Sequence, residues 1–283
     1  MAAQQGIKRR IRSVSNTRQI TKAMQLVAAS KLRRAQEASL NAHAYAEAAA
    51  KLLGVLSSVP ETGYSPLFEQ RQVKNALTIL VTSDRGLAGG YNANVIRAYG
   101  AFASSQNANQ HVISVGKYAA RHIARLSDVS DKGAYLMDVK DISLELAQPL
   151  LATATEMFLN GEVDVVNIVF TKFMSTVRQE VETVQLLPIA YVPNTSGTVR
   201  TLEPTPEELL EFAAKRLLEA RVSQAMLDAR ASEQASRMLA MKNATDNAGE
   251  LIDDLTLAFN NARQAAITQE LAEISAGAEA ITE

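Results

Sequence analysis

The stretch from about Leu217 to Ile281 restricts what this chain can fold into more than any other. Reading every third and fourth position gives Leu217, Ala220, Gln224, Leu227, Ala231, Gln234, Met238, Met241, Thr245, Ala248, Ile252, Leu255, Phe259, Ala262 and Ala266, the seam of a coiled coil sustained over many turns. No proline follows Pro206, and the only later glycines are Gly249 and Gly277, so nothing local obliges the helix to stop. A helix this long does not fold alone. It needs a partner along its seam.

The other end of the chain offers one. Between Gly6 and Gly54 there is neither proline nor glycine, and good helix formers dominate. This predicts one helix of on the order of 48 residues, roughly 70 Å long at 1.5 Å per residue. Its apolar positions fall in triplets: Ile7, Ile11, Val14; then Ile20, Met24, Val27; then Ala28, Leu32, Ala35. Each triplet has 4-3 spacing, but the stripe slips between triplets, which predicts a drifting packed face and a gently wrapped pair rather than a strict zipper. Residues 1–40 carry nine basic side chains against Glu37 alone, whereas residues 203–283 carry fifteen acids against seven bases. Opposite charge favours an intramolecular antiparallel pair.

Between the arms the pattern changes. Ser57 to Lys74, with Pro60, Gly63 and Pro66, reads as a turn-rich linker, and so does Pro188 to Pro206. Ala76 to Thr82 is a short apolar, β-branched run that reads as a buried strand. A glycine-containing turn, Ser83 to Asn92, leads from it into a helix from about Ala93. Val112–Val115 repeats the strand and Lys117–Leu126 the helix; a further helix spans Leu144–Asn160, Val163–Phe173 is another strand, and Val177–Leu187 fits its neighbour. Thr205-Pro206-Glu207-Glu208 opens the second arm with a cap, a first-turn proline and first-turn acids. The expected fold class is α/β: a long antiparallel coiled coil of N- and C-terminal helices (residues 1–58 and 205–283) with an inserted Rossmann-like α/β domain (residues 75–192).

Composition removes whole classes of function. The chain has no cysteine, so disulfides, thiolate metal sites and thiol redox chemistry are excluded. No apolar run approaches the roughly 18 residues of a transmembrane span, and no apolar signal core follows the charged N-terminus. Net charge is −1, and the basic arm lacks the interleaved aromatics of a nucleic-acid binder while an acidic arm stands in the same chain. His43, His111 and His122 have no second ligand at metal spacing. Arg85-Gly86-Leu87-Ala88-Gly89-Gly90 after a strand invites a phosphate-binding reading, but it is neither G-x-G-x-x-G nor a P-loop. No nucleophile elbow is present, and Asp253-Asp254 lie on non-facing helix positions. No cofactor is expected.

Three stretches together resemble a known family. They are Ile20-Thr21-Lys22-Ala23-Met24 with Val27 to Leu32, the turn from Ser83 to Gly90, and the C-terminal run from Ser236 to Asn247 with Asn261 to Ala278. The chain is similar to the gamma subunit of the rotary F-type ATP synthase, across both arms and the central domain in the same order. The resemblance implies a non-catalytic rotor shaft, coupling ion-driven rotation of a membrane c-ring to conformational change in the catalytic beta subunits. Its implied partners are the alpha and beta subunits of the head, the epsilon subunit and the c-ring, with no nucleic acid and no insertion into the bilayer. The implied location is peripheral, on the cytoplasmic face of a bacterial plasma membrane or the equivalent organellar face; a chain without a transit peptide fits the bacterial case. Contacts with beta carry over to Arg263, Gln264, Thr268 and Met24, although Met24 and Thr268 fit packing of the helix pair as well. Contacts with the c-ring or epsilon carry over to Glu203, here without the aromatic neighbours usual in some relatives, and to Asp84 and Arg85. The redox-regulatory cysteine pair of chloroplast relatives is absent. The alternative is a nucleotide-binding enzyme built on the central domain.

Overall fold

The computed structural model describes residues 2–56, 66–137, 144–189 and 206–282. Two long helices bracket the chain: α1, Ala2–Leu56, and α5, Pro206–Thr282. Both are α-helical throughout, Gly6, Gly54, Gly249 and Gly277 included, because a lone glycine costs only about 1 kcal/mol in a helix interior. Pro206 occupies the first helical position, as its missing N–H allows. Between them come β1 (Asn75–Val81), α2 (Tyr91–Ser105), β2 (Asn109–Val115), α3 (Lys117–Ile123), β3 (Val129–Tyr135), α4 (Leu144–Leu159), β4 (Val165–Phe173) and β5 (Gln179–Leu187), preceded by a single 3-10 turn at Pro66–Phe68.

The chain divides into two compact units, Ala29–Arg237 and Met1–Ala28 with Met238–Glu283. The larger unit is built on one sheet of order β3-β2-β1-β4-β5. β1 runs parallel to β2 and β4, β2 parallel to β3, and β5 closes the sheet antiparallel to β4. Central β1 is apolar on both sides because both faces are covered. On one face Leu77, Ile79, Val81, Ile113, Ile168 and Phe170 pack against Leu150, Ala154 and Phe158 of α4 and Leu217, Val222 and Ala229 of α5. On the other, Leu80, Val112 and Val169 pack against Val95 and Tyr99 of α2 and Ala119 and Ile123 of α3. The strands expected at Ala76, Val112, Val163 and Val177 are all present, within a few residues at their ends. β3 was not expected: Val-Ser-Asp-Lys-Gly-Ala-Tyr is polar because it is an edge strand with mostly exposed side chains. Within the stretch read as linker, Leu67 is buried in the core and its carbonyl accepts from Ile189 N at 2.9 Å.

Each unit contains a segment of the antiparallel helix pair. In the smaller unit Gln4 Nε2 donates to Ala262 O at 3.2 Å, the Gly249 position lies against the Arg18 guanidinium, and Thr245 Oγ1 stands 2.8 Å from Thr21 Oγ1. In the larger unit Ser39 meets Asp228 and His43 meets Gln224. All fifteen expected seam positions of α5 are buried or half-buried. The slipping stripe expected for α1 is corrected. Its seam positions run Gln4, Ile7, Ile11 and Val14, then, past the exposed Arg18, Thr21, Gln25, Ala28, Leu32, Ala35, Ser39, Ala42, Ala46 and Ala49, one heptad register kept throughout and interrupted once. Ile20 and Val27 are instead 60% and 57% exposed. An apolar-only reading followed these two outward residues because the seam carries polar side chains, Thr21 and Gln25, at that level.

Candidate partner-binding surface

In doubly wound sheets ligands enter at the carboxyl ends of the strands where the winding reverses, here between β1 and β4. The chain leaves β1 through Thr82 and Ser83. Thr82 Oγ1 donates to Val115 O at 3.1 Å and accepts from Ala119 N at 2.8 Å, tying the strand end to β2 and α3. Ser83 N donates to Asn92 Oδ1 at 3.0 Å, and Asn92 Nδ2 donates back to Ser83 Oγ at 2.8 Å. Asp84 Oδ1 accepts from Lys117 N at 3.0 Å. The turn is therefore latched at both ends by side chains. Leu87 holds a positive φ of 61° and is 62% exposed, a conformation costing a branched residue roughly 1–2 kcal/mol.

The crevice beyond this turn is filled by the chain itself. Arg237 of α5 donates through Nη2 to Arg85 O at 3.3 Å and Gly86 O at 3.2 Å, and pairs with Glu233 at 2.7 Å. Ser232 Oγ donates to Thr171 O at 3.1 Å. Burial holds the Tyr91 phenol far above its ordinary pKa, with the Glu233 carboxylate adding to the effect. The cavity left among Lys31, Asp84, Arg85, Arg230, Glu233 and Arg237 measures about 30 Å³, room for one or two waters. A nucleotide needs hundreds of cubic ångströms. The turn offers Arg237 the carbonyls of Arg85 and Gly86, acceptors that cannot bind a phosphate as backbone N–H groups do, so the expected poor match to a phosphate loop is joined by a filled crevice.

The histidines do not converge. His43 lies on α1 near Gln224 and Asp228, His111 on β2, and His122 on α3. Burial pushes the His111 imidazole below its ordinary pKa, Lys132 adds to this and Glu162 opposes it. Among the described residues no cluster of His, Asp or Glu has metal-holding geometry.

What remains is surface. On α5 of the smaller unit Arg263, Gln264 and Thr268 are exposed; the Thr268 hydroxyl donates to Gln264 O at 3.0 Å, within its own helix. Met24 is half-buried on α1 and Lys8, Arg9, Arg10 and Arg12 point to solvent. Exposed Ile20, Leu26 and Val27 stand beside Met24 along the helix, and Ile267, Leu271 and Ile274 continue an exposed apolar line on α5. Sequence reading missed Ile20 and Val27 as surface, and counting the heptad through polar Thr21 and Gln25 was the signal that finds them. In the larger unit Asp84 is half-buried and Arg85 exposed, beside Arg237. Glu203 lies outside the described residues.

Comparison with known proteins places the whole chain. A family model described as ATP synthase matches residues 3–281. The chain is similar to the ATP synthase gamma chain of Moorella thermoacetica, 42% identical over 282 residues that cover 99% of this chain and 100% of that one. It is similar to the sodium ion specific ATP synthase gamma chain of Acetobacterium woodii, 39% identical with 98% of each chain covered. Among solved structures, the central stalk and c-ring assembly of the Tetrahymena thermophila mitochondrial ATP synthase has a matching chain at TM-score 0.63 and 25% identity, covering 80% of this chain and 99% of that one. A chain of the Euglena gracilis mitochondrial ATP synthase shares the fold at TM-score 0.70 and 18% identity, covering 99% and 95%.

Proposed function

The chain belongs to the ATP synthase family as a gamma chain, and from that membership we propose that it is the central rotor shaft of an F-type enzyme, itself without catalytic residues. The observation that carries this reading is α5, 77 continuous helical residues that meet α1 of the same chain from Gln224 to Ala262 while Arg263, Gln264 and Thr268 are exposed. Residues 1–58 and 205–283 form the shaft, and residues 75–192 the domain that engages the parts of the rotor nearer the membrane.

The mechanism follows from asymmetry. An antiparallel pair of unlike helices has no rotational symmetry, so each orientation presents a different set of side chains to the surrounding ring of alpha and beta subunits. A beta subunit that meets Arg263 and Gln264 in one orientation and exposed apolar residues in another experiences differential contacts, and only these can shift its conformational equilibrium. Arg263 supplies charge-assisted hydrogen bonds, Gln264 and Thr268 neutral ones, and Met24 apolar contact to beta. Asp84, Arg85 and Glu203 serve the c-ring or epsilon subunit. Ion flow through the c-ring turns the shaft, and the chain works on the cytoplasmic face of a bacterial membrane or its organellar equivalent. Among the described residues no helix is long and apolar enough to cross a membrane.

The test is a reconstituted complex carrying Arg263→Ala with Gln264→Ala. ATPase turnover falls about tenfold or more, as for the loss of a charge-assisted contact, while the complex still assembles. Unchanged turnover removes these residues from the coupling surface.

A further inference from the structure

Half of the α1 seam in the larger unit is uniform. Ala35, Ala42 and Ala49 repeat at seven-residue intervals, so at these positions sliding α1 by one heptad replaces alanine with alanine. Packing there does not distinguish one register from the next, and a shaft that slips does not hold its faces in phase. The alternate positions, Leu32, Ser39 and Ala46, do change on sliding, and the polar one among them meets a buried carboxyl. Asp228 of α5 is 1% exposed, its Oδ1 accepts from Ser39 Oγ at 2.5 Å, and its Oδ2 lies 3.8 Å from His43 Nε2. Gln224 Nε2 stands 2.8 Å from the same imidazole nitrogen. A slip of seven residues either way puts Leu32 or Ala46 where Ser39 stands, and Gln36 or Ala50 where His43 stands. The buried carboxyl then loses its hydroxyl donor, a penalty that an alanine seam cannot impose.

We propose that Ser39, His43 and Asp228 are positioning residues that key α1 and α5 into one register, and thereby set the angular phase at which the shaft meets its partners. This rests on the rotor reading above. A single polar seam residue that costs stability and specifies register is the best-attested role for such a group.

The double variant Ser39→Ala with Asp228→Leu separates the key from ordinary packing. A structural hydrogen bond predicts a lower melting temperature, with ATP hydrolysis and ATP-driven ion pumping lost in proportion. The register key predicts an unchanged or raised melting temperature of the isolated chain, because the buried carboxyl is gone. It also predicts a ratio of pumping to hydrolysis in the membrane-reconstituted complex lowered by at least about twofold, the low end for coupled contacting groups. Asp228→Asn, which keeps the acceptor for Ser39, retains the wild-type ratio. A wild-type ratio in the double variant overturns the key, as does an equal fall in Asp228→Asn. Should the double variant fail to assemble, Ser39→Ala alone is read by the same ratio. A wild-type complex that does not pump at all overturns the rotor reading instead.

Discussion

Two residues show how much local chemistry the fold spends on placement. Gly116, between β2 and α3, adopts φ 91°, and a Cβ built there overlaps the Thr82 carbonyl. Gly116→Ala is therefore expected to destabilise by at least about 2 kcal/mol in urea unfolding, and a neutral result contradicts the latch at the end of β1. Asp228 acts through protons. Burial raises its carboxyl pKa, while Ser39, His43, Lys172 and Gln224 oppose that shift, so the folded chain binds the proton more tightly than the unfolded one. A raised folded pKa contributes stability that is fully present below the ordinary aspartate value and is lost as pH rises through the folded value. Between pH 7 and about 4 the melting temperature of the wild type thus gains relative to Asp228→Asn; parallel curves for the two proteins contradict the assignment. The Ser39 donor facing Asp228 was not legible in the sequence, where Ser39 is one hydroxyl among many and 189 residues separate the two.

Among the elements, α1 and α5 differ in how openly their packing is written. The stripe of α5 from Leu217 to Ala266 reads directly, because its apolar and small residues fall on one face. In α1 the covered face passes through Thr21 and Gln25 while Ile20 and Val27 face outward. Hydrophobic periodicity follows the oilier residues, and in a helix whose outer surface meets other proteins those are not always the packed ones. The correction has a measurable consequence. Val27→Ser should change the stability of the isolated chain by no more than about 0.5 kcal/mol, as at an exposed site, whereas Leu32→Ala, in the seam, should cost about 2–3 kcal/mol. The slipped stripe predicts comparable losses for both. β3 illustrates the opposite failure, a strand invisible to pattern because as an edge it hides little apolar surface, while buried β1 was plain in a run from Ala76 to Val81 that is apolar except at Thr78.

For the whole molecule the proposed reading implies a division of labour in which one seam makes the shaft and the surface left over makes the contacts. The filled crevice beside the Ser83–Asn92 turn leads to the last expectation, that isolated chain titrated with ATP shows no specific binding at micromolar concentration; saturable binding there would reinstate the nucleotide-binding alternative. Length free of helix breakers, heptad spacing in the last third, strand–helix alternation in the middle and the absence of cysteine are local properties, and the sequence alone determined through them two long helices around a Rossmann-like domain and the family to which the chain belongs. Which face of α1 is covered, what fills the switch-point crevice and which hydroxyl meets Asp228 depend on pairings between residues far apart in the chain. Local pattern does not specify such pairings, so only the tertiary structure, where buried polar groups must find partners, decided among them.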